Sequence, residues 1–159
     1  MSNYTDLGNF LHEKGYVAIA LTKLASSHLL LKATLNEIEG LFLLDTGASA
    51  SVIEQMHQER FNMNAENTEE RATGAGGSNI HMQTSSNNQL HFENLQIKDI
   101  DLILMSLEHV NQAFRSLGIE EVDGVIGADV LHNYKAIIDY PNLILYLKNE
   151  GVKWLDKNK

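Results

Sequence analysis

With 159 residues, the chain is about one domain long and can bury an ordinary core without metals or crosslinks. Its make-up, 43% hydrophobic and 21% charged, is that of a globular protein, and the absence of cysteine excludes disulfide and thiol chemistry. A net charge of -9, with the 12 basic residues scattered, argues against a phosphate-reading surface, and no apolar run approaches the length of a membrane span.

Residues Asn3 to Gly15 predict a short amphipathic helix with Leu7, Phe10 and Leu11 on one face and Gly15 as its stop. The apolar stretch Tyr16 to Leu21 is short and closed by Lys23, so it does not read as a signal peptide, and a cytoplasmic location is expected. From there the pattern is that of strands. Val17, Ile19 and Leu21 alternate, Leu29 to Leu35 reads as a strand, Asn36-Glu37 as a turn, and Gly40 to Leu44 as a buried strand running into Asp45-Thr46-Gly47-Ala48-Ser49. Ser51 through Phe61 predicts a helix with Val52, Ile53, Met56 and Phe61 facing inward.

After a polar stretch, Gly74-Ala75-Gly76-Gly77 marks a tight turn, because glycine accepts positive φ without steric cost; its flanks can pair as two strands. Leu90 to Phe92 and Leu95 to Met105 predict further strands. In the second, the apolar phase slips between Ile97 and Ile100, which predicts a bulge near Lys98-Asp99. Ser106 is placed to cap a helix through Leu117 ended by Gly118, and Asp123 to Gly127 reads as a short strand. A helical segment over Ala128 to Tyr134 follows. Ala136 to Tyr140, a Pro141-Asn142 turn and Leu143 to Leu147 predict a closing hairpin. With no repeat and no linker, residues 1–159 are expected to form a single mainly β domain with two or three short helices.

Taken alone, Asp45-Thr46-Gly47 is also what an ordinary Asx turn looks like. Its context is more specific. An apolar strand leads in, Ala48-Ser49 and Val52-Ile53 follow, a glycine-rich turn comes later, and Val125-Ile126-Gly127 precedes a helix. In this order the elements resemble the retropepsin-like aspartic proteases over about residues 16–148. The run Asp123 to Leu131, continuing to Ile137-Ile138-Asp139-Tyr140, is similar to the bacterial single-domain members. The resemblance implies a closed acid-protease barrel, with Asp45 as the catalytic aspartate, Thr46 as the hydroxyl that locks two active-site loops across a dimer axis, and Gly47 as the tight turn beside substrate. It implies a flap tip at Gly74, Ala75, Gly76 and Gly77 that contacts substrate, and Val125-Ile126-Gly127 packed beneath the catalytic loop.

Hydrolysis by this route uses two carboxylates that share one proton, yet the chain holds a single Asp-Thr/Ser-Gly, so a homodimer with one Asp45 per chain is expected. Two departures from the retroviral pattern bear on that interface. Ala128 stands where those enzymes generally carry a basic residue, and extra residues occur at the N-terminus and around Glu108 to Leu117. The expected partner is a peptide or protein substrate, with no cofactor. An acidic to mildly acidic optimum is expected of such a pair. The rival function is a peptide-binding or assembly module of the same fold that does not cleave.

Other chemistries are weaker. The Gly74 turn lacks the following Lys-Ser/Thr of a phosphate loop, and no Gly-x-Ser-x-Gly elbow surrounds Ser49 or Ser51. Ser49 is expected to hydrogen-bond within the catalytic loop. The seven histidines show no zinc-helix spacing, and no metal is expected. Asp99 and Asp101 are expected on a solvated face, Asp123 and Asp129 in turn and helix-cap roles, Asp139 near the closing turn, and Trp154 as a packed aromatic before a frayed end.

Overall fold

The computed structural model describes residues 3–67, 72–73 and 79–149. Helix α1 (Asn3–Glu13) leads to β1 (Tyr16–Ala20), β2 (Thr22–Lys23), β3 (Leu29–Leu35) and β4 (Ile38–Leu44). Next come β5 (Val52–Glu54), a 3-10 turn (Gln55–His57), β6 (Glu66–Asn67), β7 (Ala72–Thr73) and β8 (Asn79–Ile80). The long strands β9 (Gln83–Phe92) and β10 (Leu95–Met105) precede α2 (Glu108–Ser116). The chain closes with β11 (Gly124–Ile126), α3 (Ala128–Asn133), β12 (Ile137–Asp139) and β13 (Ile144–Lys148). No helix of the described residues is long and apolar enough to cross a membrane.

Six strands close a barrel in the order β3-β4-β11-β5-β10-β9, with β9 returning to β3 through Thr34↔His91 and Leu35↔Leu90. The fold is therefore the mainly β closed barrel that the sequence implies, with three short α-helices among the described residues. Inward positions such as Leu31, Leu35, Phe42, Ile53, Leu90 and Leu102 fill its core. Apolar burial of this kind is worth roughly 1.5–3 kcal/mol per large side chain, which is why alternating strands settle with these residues inside. The β3–β4 turn takes left-handed backbone at Asn36 (φ 49) and Glu37 (φ 73), the geometry a two-residue hairpin requires. Asn36 then anchors the turn, donating from Nδ2 to the Phe61 carbonyl at 2.8 Å and to Asn88 Oδ1 at 2.9 Å.

The phase slip in β10 is a bulge. The β9–β10 register shifts on both sides of Ile100, Asp99 has φ 55, and Asp99 and Asp101 are exposed. Buried Asn88 sits opposite Ile100 and donates to Ser85 O at 3.0 Å, so the irregular ladder keeps its hydrogen bonds.

The helix predicted over Ser51 to Phe61 is not formed. Val52–Glu54 is a strand, held between β11 and β10, and only Gln55–His57 turns, as a 3-10 helix. The β-branched pair Val52-Ile53 suits a pleated strand, and pairing on both edges outweighs the local helical spacing. Met56 consequently points to solvent, 80% exposed, while Ile53 and Phe61 are buried. In α1 the helix forms as predicted, but of Leu7, Phe10 and Leu11 it is Leu11 alone that is buried, against Ile144 and Tyr146. Leu7 and Phe10 are exposed.

Candidate active site

Strands β4 and β11 run parallel, Phe42↔Gly124 to Leu44↔Ile126, so their ends emerge side by side. On the other edge of β11, Gly124 lets β5 approach closely, because a Cβ there would lie 2.6 Å from the Val52 carbonyl oxygen. Asp45 extends the ladder by one residue, its N–H donating to Ile126 O at 3.0 Å, and then the chain turns outward. Gly47 N–H donates to Asp45 Oδ1 at 2.9 Å and Ala48 N–H to Asp45 O at 3.2 Å. Asp45, Thr46 and Gly47 are all exposed at this turn. An Asx-type bond fixes the Asp45 side chain through Oδ1 while the residue stays exposed.

The loop is held from beneath. Ala128 N–H donates to Ala48 O at 2.7 Å, and a Cβ on Gly127 would meet Ala48 O at 2.7 Å and Ala50 O at 2.9 Å, so only glycine fits there. Ser51, 1% exposed, donates from Oγ to Asp129 Oδ1 at 2.7 Å and accepts from Gly127 N–H at 2.9 Å, while its own N–H donates to Asp129 Oδ2 at 3.0 Å. Asp129 Oδ1 also accepts from Val130 N–H at 2.8 Å; it stands inside the first turn of α3, whose N-cap is Gly127, so it does not take the cap position expected of it. The hydroxyl that fastens the loop belongs to Ser51; Ser49, expected to do so, is exposed.

Two recesses open on Asp45. One, of 390 Å³, is lined by His28, Leu43, Leu44 and, from α2, His109, Val110, Ala113 and Phe114. The other, of 150 Å³, is lined by Ser27, His28, Leu29, Leu44, Thr46, Ile138 and Tyr140. Asp45 is the only carboxylate in either lining, and neither holds a Lys or Arg. His28 divides them, its Nδ1 2.8 Å from Ser26 Oγ and its ring edge-on to Phe114 at 5.3 Å. Buried Glu54 positions the α2 wall, accepting from Leu107 N–H at 2.7 Å and Met56 N–H at 3.1 Å. A larger recess of 630 Å³ between α1 and β1 shares no residue with these two, and Glu93 is the one acid in its lining.

The remaining acids have structural partners. Asp123 Oδ2 accepts from Leu41 N–H at 2.8 Å and Oδ1 from Arg60 Nη1 at 2.5 Å. His57 Nδ1 lies 2.9 Å from the same Oδ1 without a hydrogen bond between them. Asp139 is buried and accepts from Asn142 N–H, as a closing-turn residue. Among the described residues no cluster of three metal-ligating side chains occurs. Gly74, Ala75, Gly76 and Gly77 lie outside the described residues, as does Trp154; the flanks of that turn do pair, Ala72↔Ile80 and Thr73↔Asn79. Arg60, Glu54 and the Ser51–Asp129 link carried no sequence motif that marks them.

The sequence profile of a family described as aspartyl protease matches residues 31–130. Among solved structures, the chain is similar to a retropepsin-like aspartic protease from Rickettsia conorii, with 20% identity, a TM-score of 0.56, and coverage of 84% of this chain and 91% of that one. It is also similar to the EIAV protease complexed with the inhibitor HBY-793, with 19% identity, a TM-score of 0.55, and coverage of 74% and 98%. At these identities the two likenesses establish the fold. No curated protein matches the chain in sequence.

Proposed function

Because the chain belongs to the aspartyl protease family, we propose that it is an aspartic endopeptidase whose reacting pair is Asp45 from each of two copies. The observation that carries this reading is the placement of Asp45: exposed, tied to Gly47 N–H, and alone among carboxylates in two confluent recesses. One carboxylate cannot both deprotonate water and protonate a carbonyl oxygen, so the chemistry needs its mate.

Two carboxylates a few ångströms apart hold one proton between them. The ionised member takes a proton from water as its oxygen attacks the scissile carbonyl carbon. The protonated member gives its proton to the carbonyl oxygen, forming a gem-diol. Collapse of that diol breaks the C–N bond: the amine leaves with a proton from one carboxyl while the other carboxylate takes a proton from a diol hydroxyl, which regenerates the singly protonated pair. Thr46 links the two loops through its hydroxyl, Gly47 lets substrate backbone approach, and Gly74 to Gly77 close over the peptide as a flap. The apolar α2-side recess accepts a side chain next to the scissile bond, with Val110, Ala113 and Phe114 as its walls.

The test is cleavage of a diverse peptide mixture followed by mass spectrometry, from acidic to neutral pH, with Asp45→Asn as control. Cleavage by the wild type and none by the variant supports the reading. Equal cleavage by both contradicts it.

A further inference from the structure

The 390 Å³ recess beside Asp45 has an apolar floor and an imidazole at its rim on two sides. Buried Leu43 and Phe114 belong to one apolar cluster, with half-buried Val110 packed against it. His28 and His109 border the same recess, and both are exposed. On α2, His109 and Ala113 stand one turn apart, as do Val110 and Phe114, so one helix face supplies both apolar wall and imidazole.

The fold leaves both rings free to meet a ligand. Among the described residues, His57 is the one histidine within ion-pair distance of a carboxylate, and the His109 side chain makes no hydrogen bond. The other charges of α2 are matched: Arg115 bridges Glu108 and Glu121. His28 Nδ1 lies 2.8 Å from Ser26 Oγ and its ring stands edge-on to Phe114, which fixes the ring and leaves Nε2 without a partner among the described residues. Asp45 and these two histidines are the only titratable groups in the lining, and His28 borders the 150 Å³ recess as well. A pair of carboxylates sharing one proton carries one negative charge, which by itself disfavours an acidic side chain nearby. An imidazole that gains a proton offsets it. Imidazoles in general do so as pH falls through about 6.5, while a glutamate side chain keeps its charge down to about 4.3.

We propose that His28 and His109 make this recess selective for an acidic side chain: at mildly acidic pH a substrate glutamate lays its methylenes on Val110 and Phe114, and its carboxylate accepts from the two protonated imidazoles. This rests on the protease reading and goes beyond it by naming the substrate class, peptides with glutamate next to the scissile bond. At neutral pH the imidazoles lose their charge, the negative charge of the pair remains, and the preference disappears.

The test takes a peptide that the full-length wild type cleaves and compares versions with Glu or Gln next to the scissile bond, at about pH 5.5 and about pH 7.5. The ratio of the two kcat/KM values cancels the titration of the Asp45 pair. The expected ratio favours Glu by roughly threefold to tenfold at the lower pH and falls to about one or below at the higher. His28→Gln and His109→Gln should each lower the ratio at the lower pH. His109→Lys, which keeps its charge at both values, should hold the preference for Glu at the higher pH. A wild-type ratio of one or below at the lower pH overturns the inference and leaves the protease reading standing. A ratio unchanged in both Gln variants, or absent at the higher pH in His109→Lys, overturns it as well. A wild type that cleaves no peptide of a diverse mixture overturns the protease reading and this inference together.

Discussion

Ser51 and Asp129 stand 78 residues apart in sequence and are joined by two hydrogen bonds, Oγ to Oδ1 at 2.7 Å and N–H to Oδ2 at 3.0 Å. With the Gly127 N–H that Ser51 Oγ accepts, this link ties the end of the Asp45 loop to the start of α3. A buried donor left without its acceptor costs about 1–3 kcal/mol. Ser51→Ala is therefore expected to lower stability by about that amount, read as the urea midpoint, and to reduce kcat more than it raises KM. Unchanged stability and turnover would show that the link holds nothing.

Gly127 has no room for a side chain, since a Cβ would stand 2.7 Å from Ala48 O. Gly127→Ala must push the Asp45 loop outward, and a displacement near 1 Å costs roughly 100-fold in rate. Gly118 offers the contrast: its φ is +70 and nothing lies within 4 Å of its Cβ position. Gly118→Ala should cost about 1 kcal/mol of backbone strain and leave kcat/KM near wild type. Comparing the two variants by thermal melt and peptide assay separates a steric role at the loop from general loss of fold.

Asp123 gathers Arg60, His57 and Leu41 N–H at one nearly buried carboxylate beneath β4. Asp123→Ala leaves the Leu41 N–H and the Arg60 guanidinium without this acceptor. A loss of about 1–3 kcal/mol is expected for the part-buried Leu41 N–H left without its acceptor. Arg60→Gln, which removes the exposed partner, should cost much less. Equal losses in chemical denaturation would contradict this asymmetry.

The Tyr134 phenol is buried, and desolvation pushes its pKa up to about 12 from the ordinary 10.0 of a phenol. A raised folded-state pKa means that the folded form holds its proton longer than the unfolded form. Its contribution is complete below about pH 10 and fades as pH rises toward about pH 12, by up to ~2 kcal/mol. Tyr134→Phe, which cannot ionise, should lose less stability than wild type between about pH 8 and about pH 11. Parallel losses in the two proteins would contradict the shift.

Much of the fold was legible where local pattern and final pairing agree. The slip between Ile97 and Ile100 announced the β10 bulge, Asn36-Glu37 the hairpin, and Pro141-Asn142 the closing turn, because each is decided by side-chain phase or by a φ that few residues accept. Val52 to Glu54 was not legible. Its apolar spacing fits a helix, and only the arrival of β10 and β11 on either edge makes it a strand. The exposed turn at Asp45, at the end of an apolar strand, could be read from its neighbours in sequence. The serine that fastens its loop could not, since nothing local says that Asp129 will lie beside Ser51 rather than Ser49.

The central claim, that two copies of Asp45 share one reaction, is tested most directly by mixing. Wild type and Asp45→Asn, combined in equal amounts and allowed to exchange subunits, give about one quarter of wild-type pairs. If each active site needs both aspartates, activity per total dimer falls to about one quarter and follows the square of the wild-type fraction. If each chain works alone, activity falls linearly, to about one half, and the dyad account is wrong.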